Sequence, residues 1–429
     1  MRKRLTVVTV GCKANFADSA SIAREAASAG FEVVPPAAHP DVIVVNSCTV
    51  THRADRDSRA FVRRARRDHP GATVILTGCY AQSSPEDRRK LPEADHWVGI
   101  GEEGALRSLL RHIGGGPASQ TPFSEYAADL LLGHRRYFLK IQDGCDFHCA
   151  YCVVPLARGK SRSLSPEEIL GKAIEAEREG ARELVLTGIH IGLYGADRGE
   201  KDGLAGLIGA ILKETESVRL RLSSVEPMEM TGALIDAVAA SERVCPHLHI
   251  PLQSGCDKTL SRMRRPYDAG TFAEVAARVA ESIDNVRIGA DVIAGFPGET
   301  ADDFEETVRF LERVPVHYLH IFPYSAREGT ESAQWPDDVP SREKKERVAR
   351  LLRLDAQKRA AYLEGQVGKE LEVLVETVRP GKGGVSGTSG NYVEVTFPGG
   401  NADIGGLFRV RAEKVAGKGV AGERMGTHV

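Results

Sequence analysis

Residues 137–152 read Tyr137-Phe-Leu-Lys-Ile-Gln-Asp-Gly-Cys145-Asp-Phe-His-Cys149-Ala-Tyr-Cys152. The first six residues have the composition of a β-strand, and three cysteines follow it within a short loop. Three thiolates this close together can hold one face of an iron–sulfur cluster, because soft sulfur ligands suit iron. The alternative is a structural zinc site, but such a site needs four ligands, and His148 lies inside the tight loop beside Cys149. A 4Fe–4S cluster on three cysteines keeps one iron open for a substrate or cosubstrate.

A series of alternating strands and helices continues from this stretch. Strand candidates follow at 183–187, 218–222, 247–250, 286–293 and 316–321, with helix candidates between them. Six β/α units predict a barrel-like parallel sheet, which we expect to be open because a full barrel has eight. A simple electron carrier of the ferredoxin type has no need of such a series, so the pattern favours a catalytic cluster.

A second group of cysteines lies upstream. Cys12, Cys48 and Cys79 each come shortly after a β-branched run, and helical segments separate the three runs. The carboxyl ends of parallel strands share one edge of a sheet, where ligands bind in open α/β folds. This placement predicts a second three-cysteine iron–sulfur cluster, and the alternative is three independent buried cysteines. For Cys245 and Cys256 we expect only packing.

Composition limits the class of protein. The 429 residues are 42% hydrophobic and 27% charged, which excludes wholesale disorder and fits two or three globular domains. A net charge of −2 means that any contact with nucleic acid must come from local patches. No stretch is long and apolar enough for a membrane span, and the first residues lack the apolar core of a signal peptide, so we expect no membrane partner and a cytoplasmic location.

Shifts in composition predict the domain boundaries. We expect an N-terminal parallel α/β domain at 1–115, a Gly- and Pro-rich linker at 116–134, and a partial (β/α)6 barrel at 135–364. The last segment, 365–429, alternates with period 2 between turn-forming residues and predicts a small all-β barrel. The fold class is therefore α/β with a C-terminal all-β module.

These motifs resemble those of an enzyme superfamily and, within it, of one family. A CxxxCxxC loop with an aromatic residue, Tyr151, before its last cysteine is similar to the signature of radical S-adenosylmethionine (SAM) enzymes. In those enzymes the open iron binds SAM, which one-electron reduction cleaves to a 5′-deoxyadenosyl radical. The addition of a three-cysteine N-terminal domain and a C-terminal module similar to a TRAM domain resembles the methylthiotransferases, over nearly the whole chain.

The resemblance implies an enzyme with SAM and two 4Fe–4S clusters that adds a methylthio group to an unactivated carbon. Gly11-Cys-Lys-Ala-Asn15 and Pro251-Leu-Gln-Ser-Gly-Cys256 resemble the branch that modifies carbon 2 of threonylcarbamoyladenosine next to the tRNA anticodon. The isopentenyladenosine branch typically has Gly-Cys-Gln-Met-Asn at the first site, and the ribosomal-protein branch Gly-Cys-Pro-Lys-Asn, so Lys13 favours the first branch. An iron–sulfur RNA-binding scaffold is the non-catalytic alternative.

The resemblance also implies a SAM pocket at the strand ends, where barrel active sites are built. Its candidate residues are Tyr151, Thr187, Gly188, Ser223, Ser224, Glu226, Gln253, Ile293 and Gly295. Each of them also has an ordinary interpretation as part of a loop or turn.

The implied partners are a tRNA anticodon loop, an electron donor such as flavodoxin or ferredoxin, and a sulfur source. Two basic segments are candidates for phosphate contacts: 53–67 has seven arginines and two aspartates, and 342–359 has eight basic and three acidic residues. In the C-terminal module, aromatic residues that could stack on bases alternate with basic ones, namely Tyr392, Phe397, Phe408, Arg409, Arg411 and Lys414. The alternatives are solvated helix faces and the core of the module.

Overall fold

The computed structural model describes residues 2–114, 123–379 and 383–426, so part of the expected linker, 116–122, lies outside the described residues. The chain forms two compact units. Unit 1 comprises 1–179, 187–189 and 325–330, and unit 2 comprises 180–186, 190–324 and 331–429. In the described part of the chain, no helix is both long and apolar enough to cross a membrane.

Unit 1 is built around a parallel sheet of the order β2-β1-β3-β4-β5. The strands of the unit are β1 (Arg4–Thr9), β2 (Glu32–Val33), β3 (Val42–Ser47), β4 (Thr73–Gly78), β5 (His96–Trp97), β6 (Tyr137–Lys140), β7 (Gln142–Asp143) and β8 (Arg162–Ser163). Every residue of β3 is buried, as expected for a central strand covered by helices on both faces.

The helices of unit 1 surround this sheet. They are α1 (Lys13–Ser28), α2 (His52–Asp68), α3 (Cys79–Ser83), α4 (Glu103–Gly114), α5 (Glu125–Leu131), α6 (Val154–Arg158) and α7 (Pro166–Arg178). Helix α1 buries an alanine stripe at helical spacing, Ala20, Ala23 and Ala26, against Leu5 and Val44 of the sheet. Small side chains on this face let the helix lie close to the strands. Helix α5 lies inside the segment that we expected to be a linker.

Unit 2 contains the continuation of the strand–helix series. Its core strands are β9 (Glu183–Thr187, of which Thr187 belongs to unit 1), β10 (Arg219–Leu222), β11 (His247–His249), β12 (Arg287–Ala294) and β13 (Tyr318–Pro323). β9 pairs with β10, and β12 pairs with both β11 and β13, always in parallel. Parallel bridges from Leu220 to Val244 and from Ser224 to His249 connect the two groups. The predicted parallel α/β class is confirmed.

The helices of unit 2 alternate with these strands. They are α8 (Gly203–Glu214), α9 (Gly232–Ala239), α10 (Asp257–Arg262), α11 (Ala269–Ser282), α12 (Ala301–Arg313) and α13 (Ser341–Glu364). Helix α12 begins with a capping box between Thr300 and Asp303, as the sequence Pro-Gly-Glu-Thr followed by two aspartates indicates.

The C-terminal segment forms a closed barrel with the strand order β14-β15-β16-β18-β17. The strands are β14 (Glu370–Val378), β15 (Val385–Ser389), β16 (Glu394–Phe397), β17 (Leu407–Ala416) and β18 (Gly419–Arg424). Their alternating apolar residues fill the interior, with Val373, Val395 and Val410 fully buried. The all-β prediction for this module is confirmed within 383–426 and the part of 365–379 that pairs with it.

Candidate functional site

The sheet of unit 1 brings Cys12, Cys48 and Cys79 to one edge. They follow β1, β3 and β4, which are neighbours in the sheet, and the last residues of these strands are in register: Thr9 opposite Asn46, and Ser47 opposite Gly78. The three thiols are close enough that charge on Cys12 or Cys79 contributes to raising the pKa of Cys48, after burial. Convergence of the three cysteines is therefore a property of the fold.

Burial makes two of these thiols poor acids. Cys48 and Cys79 are buried, whereas Cys12 is exposed at the N-cap of α1. Burial raises the pKa of Cys48 to about 12 and also raises the pKa of Cys79. Both thiols therefore stay protonated at neutral pH until a metal takes the place of the proton.

Two glycines make room for the cysteines that follow or face them. Gly11 and Gly78 have positive φ angles of +117° and +94°. A Cβ atom on Gly11 would lie 2.7 Å from the Cβ of Cys48, and one on Gly78 would lie 2.5 Å from the amide nitrogen of Ser47. A side chain at either position would therefore displace the cysteine loops, a requirement that the strand–cysteine pattern alone did not indicate.

The loop of Cys145, Cys149 and Cys152 lies in the same unit and is held by its own backbone. The amide of Cys145 donates to the carbonyl of Gly159 at 3.0 Å, and the amide of Cys152 donates to the carbonyl of Cys149 at 3.0 Å. The amide of Phe147 donates to Cys145 Sγ at 3.4 Å, so the loop directs a backbone donor at its first sulfur. All three cysteines are half-buried.

The donor set bears on which metal group fits. Each triad supplies three thiols, one fewer than the four ligands of a structural zinc site, and soft thiolates suit iron. Nδ1 of His148 donates to the carbonyl of Asp146 at 2.9 Å, so only Nε2 of this ring is left to bind a metal. Outside both triads, ligand atoms of His249, Asp291 and His320 lie within 4.8 Å of one another.

An ion network that the sequence did not reveal lies beside these cysteines. The guanidinium of Arg158, at the end of α6, donates to Asp143 at 3.0 Å and to Asp18 at 2.8 Å. The ammonium of Lys140 bonds the same two carboxylates, at 3.2 and 2.5 Å. All four residues belong to unit 1, and their pairing depends on the fold, because Asp18 is far from the other three in sequence.

The residues predicted for the SAM pocket divide between the two units. Tyr151, Thr187 and Gly188 belong to unit 1, and the other six belong to unit 2. Thr187 Oγ1 and Ser223 Oγ are buried at strand ends, and no group in the described part of the chain forms a hydrogen bond with either. Buried hydroxyls normally have partners, so these two fit positions where a polar ligand binds.

The remaining pocket candidates show how the strand ends are shaped. Gln253 has a φ of +69°, and its backbone joins β12 through bonds to Asp291 at 2.8 Å and Ile293 at 2.9 Å. Gly295 also has a positive φ, and a side chain there would meet that of Lys344.

The two polar candidates of the loop after β10 differ from each other. Ser224 is exposed, whereas Glu226 is already engaged in an ion pair with the buried Arg265. Glu226 is thus less available to a ligand than its position in the sequence indicated.

The residues of the C-terminal module that were predicted to contact nucleic acid differ in exposure. Phe397 and Phe408 fill the core of the C-terminal barrel and cannot stack on bases, so the core interpretation holds for both. Tyr392 stacks on His247 with ring centroids 4.4 Å apart. The basic side chains of β17 are exposed: Arg409, Arg411 and Lys414.

The two basic helices also differ. On α2 the exposed face carries Arg53, Arg56, Arg63, Arg64 and Arg67. On α13, by contrast, Lys344 and Arg347 are buried in ion pairs with Asp337 and Glu299. Cations of α13 are thus paired with acidic side chains within the protein, whereas the arginines of the exposed face of α2 point to solvent.

Two family models match the chain. The model of the Radical SAM superfamily matches residues 139–311, and that of the Uncharacterized protein family UPF0004 matches residues 4–99. They cover the second and the first cysteine triad, respectively.

Curated relatives match almost end to end. The threonylcarbamoyladenosine tRNA methylthiotransferase MtaB of Aquifex aeolicus (strain VF5) is 38% identical and covers 86% of this chain and 91% of its own. The tRNA-2-methylthio-N(6)-dimethylallyladenosine synthase of Moorella thermoacetica is 31% identical over 96% of both chains. Among solved structures, the radical S-adenosylmethionine methyltransferase TsrM from Kitasatospora setae superposes with a TM-score of 0.54 at 14% identity over 75% of both chains, which shows a shared fold.

Proposed function

The chain belongs to the radical SAM methylthiotransferase family, and on this premise we propose that it adds a methylthio group to carbon 2 of threonylcarbamoyladenosine next to the tRNA anticodon. The observation that carries the proposal is the presence of two cysteine triads in one unit, one at the edge of the N-terminal sheet and one in the radical SAM loop. An iron–sulfur RNA-binding scaffold has no need of a segment that matches the Radical SAM superfamily over residues 139–311.

The substrate branch rests on similarity and on one residue. MtaB relatives are 33–38% identical to this chain, and dimethylallyladenosine synthases are 31% and 35% identical, so the two ranges overlap and the residues at the first site carry the choice of branch. Lys13 follows Cys12 where the isopentenyladenosine branch typically has Gln. The methylthiotransferases of isopentenyladenosine and of a ribosomal protein remain the alternatives within the family.

We propose that each triad holds one 4Fe–4S cluster. When bound, the cluster at Cys145, Cys149 and Cys152 supplies the one-electron reduction that cleaves SAM, and the cluster at Cys12, Cys48 and Cys79 supplies the site of sulfur transfer. An electron donor such as flavodoxin or ferredoxin and a sulfur source are further partners in this proposal.

The chain's own residues bind and orient the other components. The buried hydroxyls of Thr187 and Ser223, which have no hydrogen-bond partner among the described residues, each support a predicted polar contact with SAM. The adenine base must leave its stack, which is natural for a single-stranded anticodon loop. The exposed arginines of α2 are placed to contact phosphates, because this helix begins four residues after Cys48.

The nucleoside profile of a deletion strain tests the function. We expect mass spectrometry of its tRNA to show threonylcarbamoyladenosine without the methylthio group. The wild-type chain and Cys256→Ala, a buried cysteine outside both triads, should restore the group, and Cys145→Ala should not.

Two other results would contradict the proposal. Loss of the methylthio group from isopentenyladenosine would move the protein to the sibling branch. Intact tRNA nucleosides together with no cleavage of SAM by the dithionite-reduced, tRNA-bound protein would favour the scaffold.

A further inference from the structure

Arg158 connects the surroundings of both cysteine triads. It lies six residues after Cys152, and its side chain is only 1% exposed. One nitrogen, Nη1, donates to Asp143, two residues before Cys145. The other, Nη2, donates to Asn15 Oδ1 at 2.6 Å, three residues after Cys12. One side chain just after the Cys145–Cys152 loop thus bonds a residue next to the N-terminal triad, and all of these residues belong to unit 1.

The positive charge of Arg158 acts on the N-terminal triad. Asn15 Oδ1, which accepts from Nη2 of Arg158, also lies 3.9 Å from Cys12 Sγ, so the guanidinium and this thiol share one acceptor. Arg158 couples electrostatically to Cys12 as well. A buried arginine is costly unless acids pair with it, and Asp18 and Asp143 supply that pairing. The fold therefore maintains a fixed cation at this position at any pH that the protein tolerates.

The ion network around Arg158 is balanced in charge where it is buried. Lys140 and Arg158 pair with Asp18 and Asp143, and the one further cation, Arg162, is half-exposed and screened by water. Any effect on the thiols therefore depends on which charged group lies nearest to them. Arg158 is the member that donates to Asn15, three residues after Cys12.

One hydrogen-bond donor of Arg158 has no acceptor among the described residues. Its Nε is buried, and in the ranges that the structure describes no group accepts a hydrogen bond from it. A buried guanidinium N–H without an acceptor is rare. Sulfide or thiolate sulfur of a cluster at the neighbouring triad is an acceptor of the right charge.

We propose that Arg158 is a positioning residue that raises the reduction potential of the cluster at Cys12, Cys48 and Cys79, by holding a buried positive charge and a hydrogen-bond donor beside it. The inference rests on the proposed second cluster. Reduction adds negative charge to a cluster, so a nearby cation stabilises the reduced form and makes the potential more positive. Hydrogen bonds to the sulfur atoms act in the same direction.

The test isolates this cluster and measures its potential. In a chain carrying Cys145→Ala, Cys149→Ala and Cys152→Ala, about four iron atoms should remain after reconstitution. Redox titration followed by electron paramagnetic resonance then compares Arg158→Gln and Arg158→Lys with the unmodified background. Arg162→Gln is the matched control, because it removes a half-exposed cation that bonds the same Asp143.

We expect a more negative midpoint potential for Arg158→Gln, a smaller change for Arg158→Lys, which keeps the charge, and almost none for Arg162→Gln. Equal potentials at full iron content in all four chains would overturn the role of Arg158. If Arg158→Gln binds no iron, Asp18→Asn decides, because it removes a carboxylate that pairs with Arg158: we expect a more positive potential, and an unchanged or more negative one would overturn the inference. If the triple-alanine background itself binds no iron, the proposed second cluster fails rather than this inference.

Discussion

At the residue scale, the cysteines of the N-terminal triad depend on the glycines around them. Gly78 sits directly before Cys79, at a positive φ and against the backbone of Ser47. Backbone cannot move aside as the end of a long side chain can. The position therefore fixes where α3 begins and where the Cys79 thiol lies.

Replacing Gly78 by alanine should cost about 1–3 kcal/mol of unfolding free energy, because alanine is strained at positive φ and its Cβ would also meet Ser47. Urea unfolding of the iron-free chain measures the cost. Gly71→Ala is the control, since nothing lies within 4 Å of a Cβ built there. Equal stability of the two variants would show that Gly78 is not required.

Some residues of the site could be predicted from the sequence, and others could not. The cysteines could be placed because β-branched runs end just before them, and a strand end is visible in composition. Arg158 and Asp18 could not be paired in this way, because they are 140 residues apart and meet only through packing. The unpaired hydroxyls of Thr187 and Ser223 are likewise a property of the surroundings, which composition does not report.

At the scale of elements, two basic helices of similar composition differ in where their charged side chains lie. Helix α2 buries Ser58, Val62 and Ala65 on one face, and its arginine stripe lies on the opposite face. Helix α13 buries two of its cations in ion pairs instead. Both segments resemble phosphate-binding surfaces in sequence, because a charge count does not tell which acids come close to them.

Replacing Arg53, Arg56 and Arg63 of α2 by alanine should weaken tRNA binding and reduce its salt dependence. For every phosphate that one of these arginines neutralises, the slope of log affinity against log salt should fall by roughly 0.7–0.9 in the variant. Binding titrations at several salt concentrations measure the slope. The matched control removes three exposed cations of α13, Arg342, Lys345 and Arg353, and a larger effect there would assign the tRNA-binding surface to α13.

At the scale of the whole molecule, the C-terminal barrel of unit 2 is joined to the strands of the same unit by buried charge. Glu183 on β9 is fully buried and pairs with Arg219 and Arg221 of β10. Both arginines also donate to backbone carbonyls of the barrel, those of Thr388 and Ser389 among them. The barrel is therefore bonded to the core strands, although the change in composition after 364 predicts a separate module.

Glu183→Gln should destabilise the protein by about 3–5 kcal/mol, because it leaves two buried arginines without their carboxylate. Chemical unfolding of the iron-free chain, followed by circular dichroism, measures the loss. Glu200→Gln breaks an exposed pair with Arg198 and should leave stability near that of the unmodified chain. Equal effects would mean that the buried triad contributes little.

The uneven burial of the N-terminal triad has a consequence for oxidative damage. Cys12 is exposed, whereas Cys48 and Cys79 are enclosed. Oxidants reach accessible thiolates first, so attack on this site starts at Cys12. Cys48 and Cys79 stay enclosed, so if the triad holds the proposed cluster, repair has to restore one ligand, from the solvent side. The least protected residue of the triad is thus also the one that a reductant can reach.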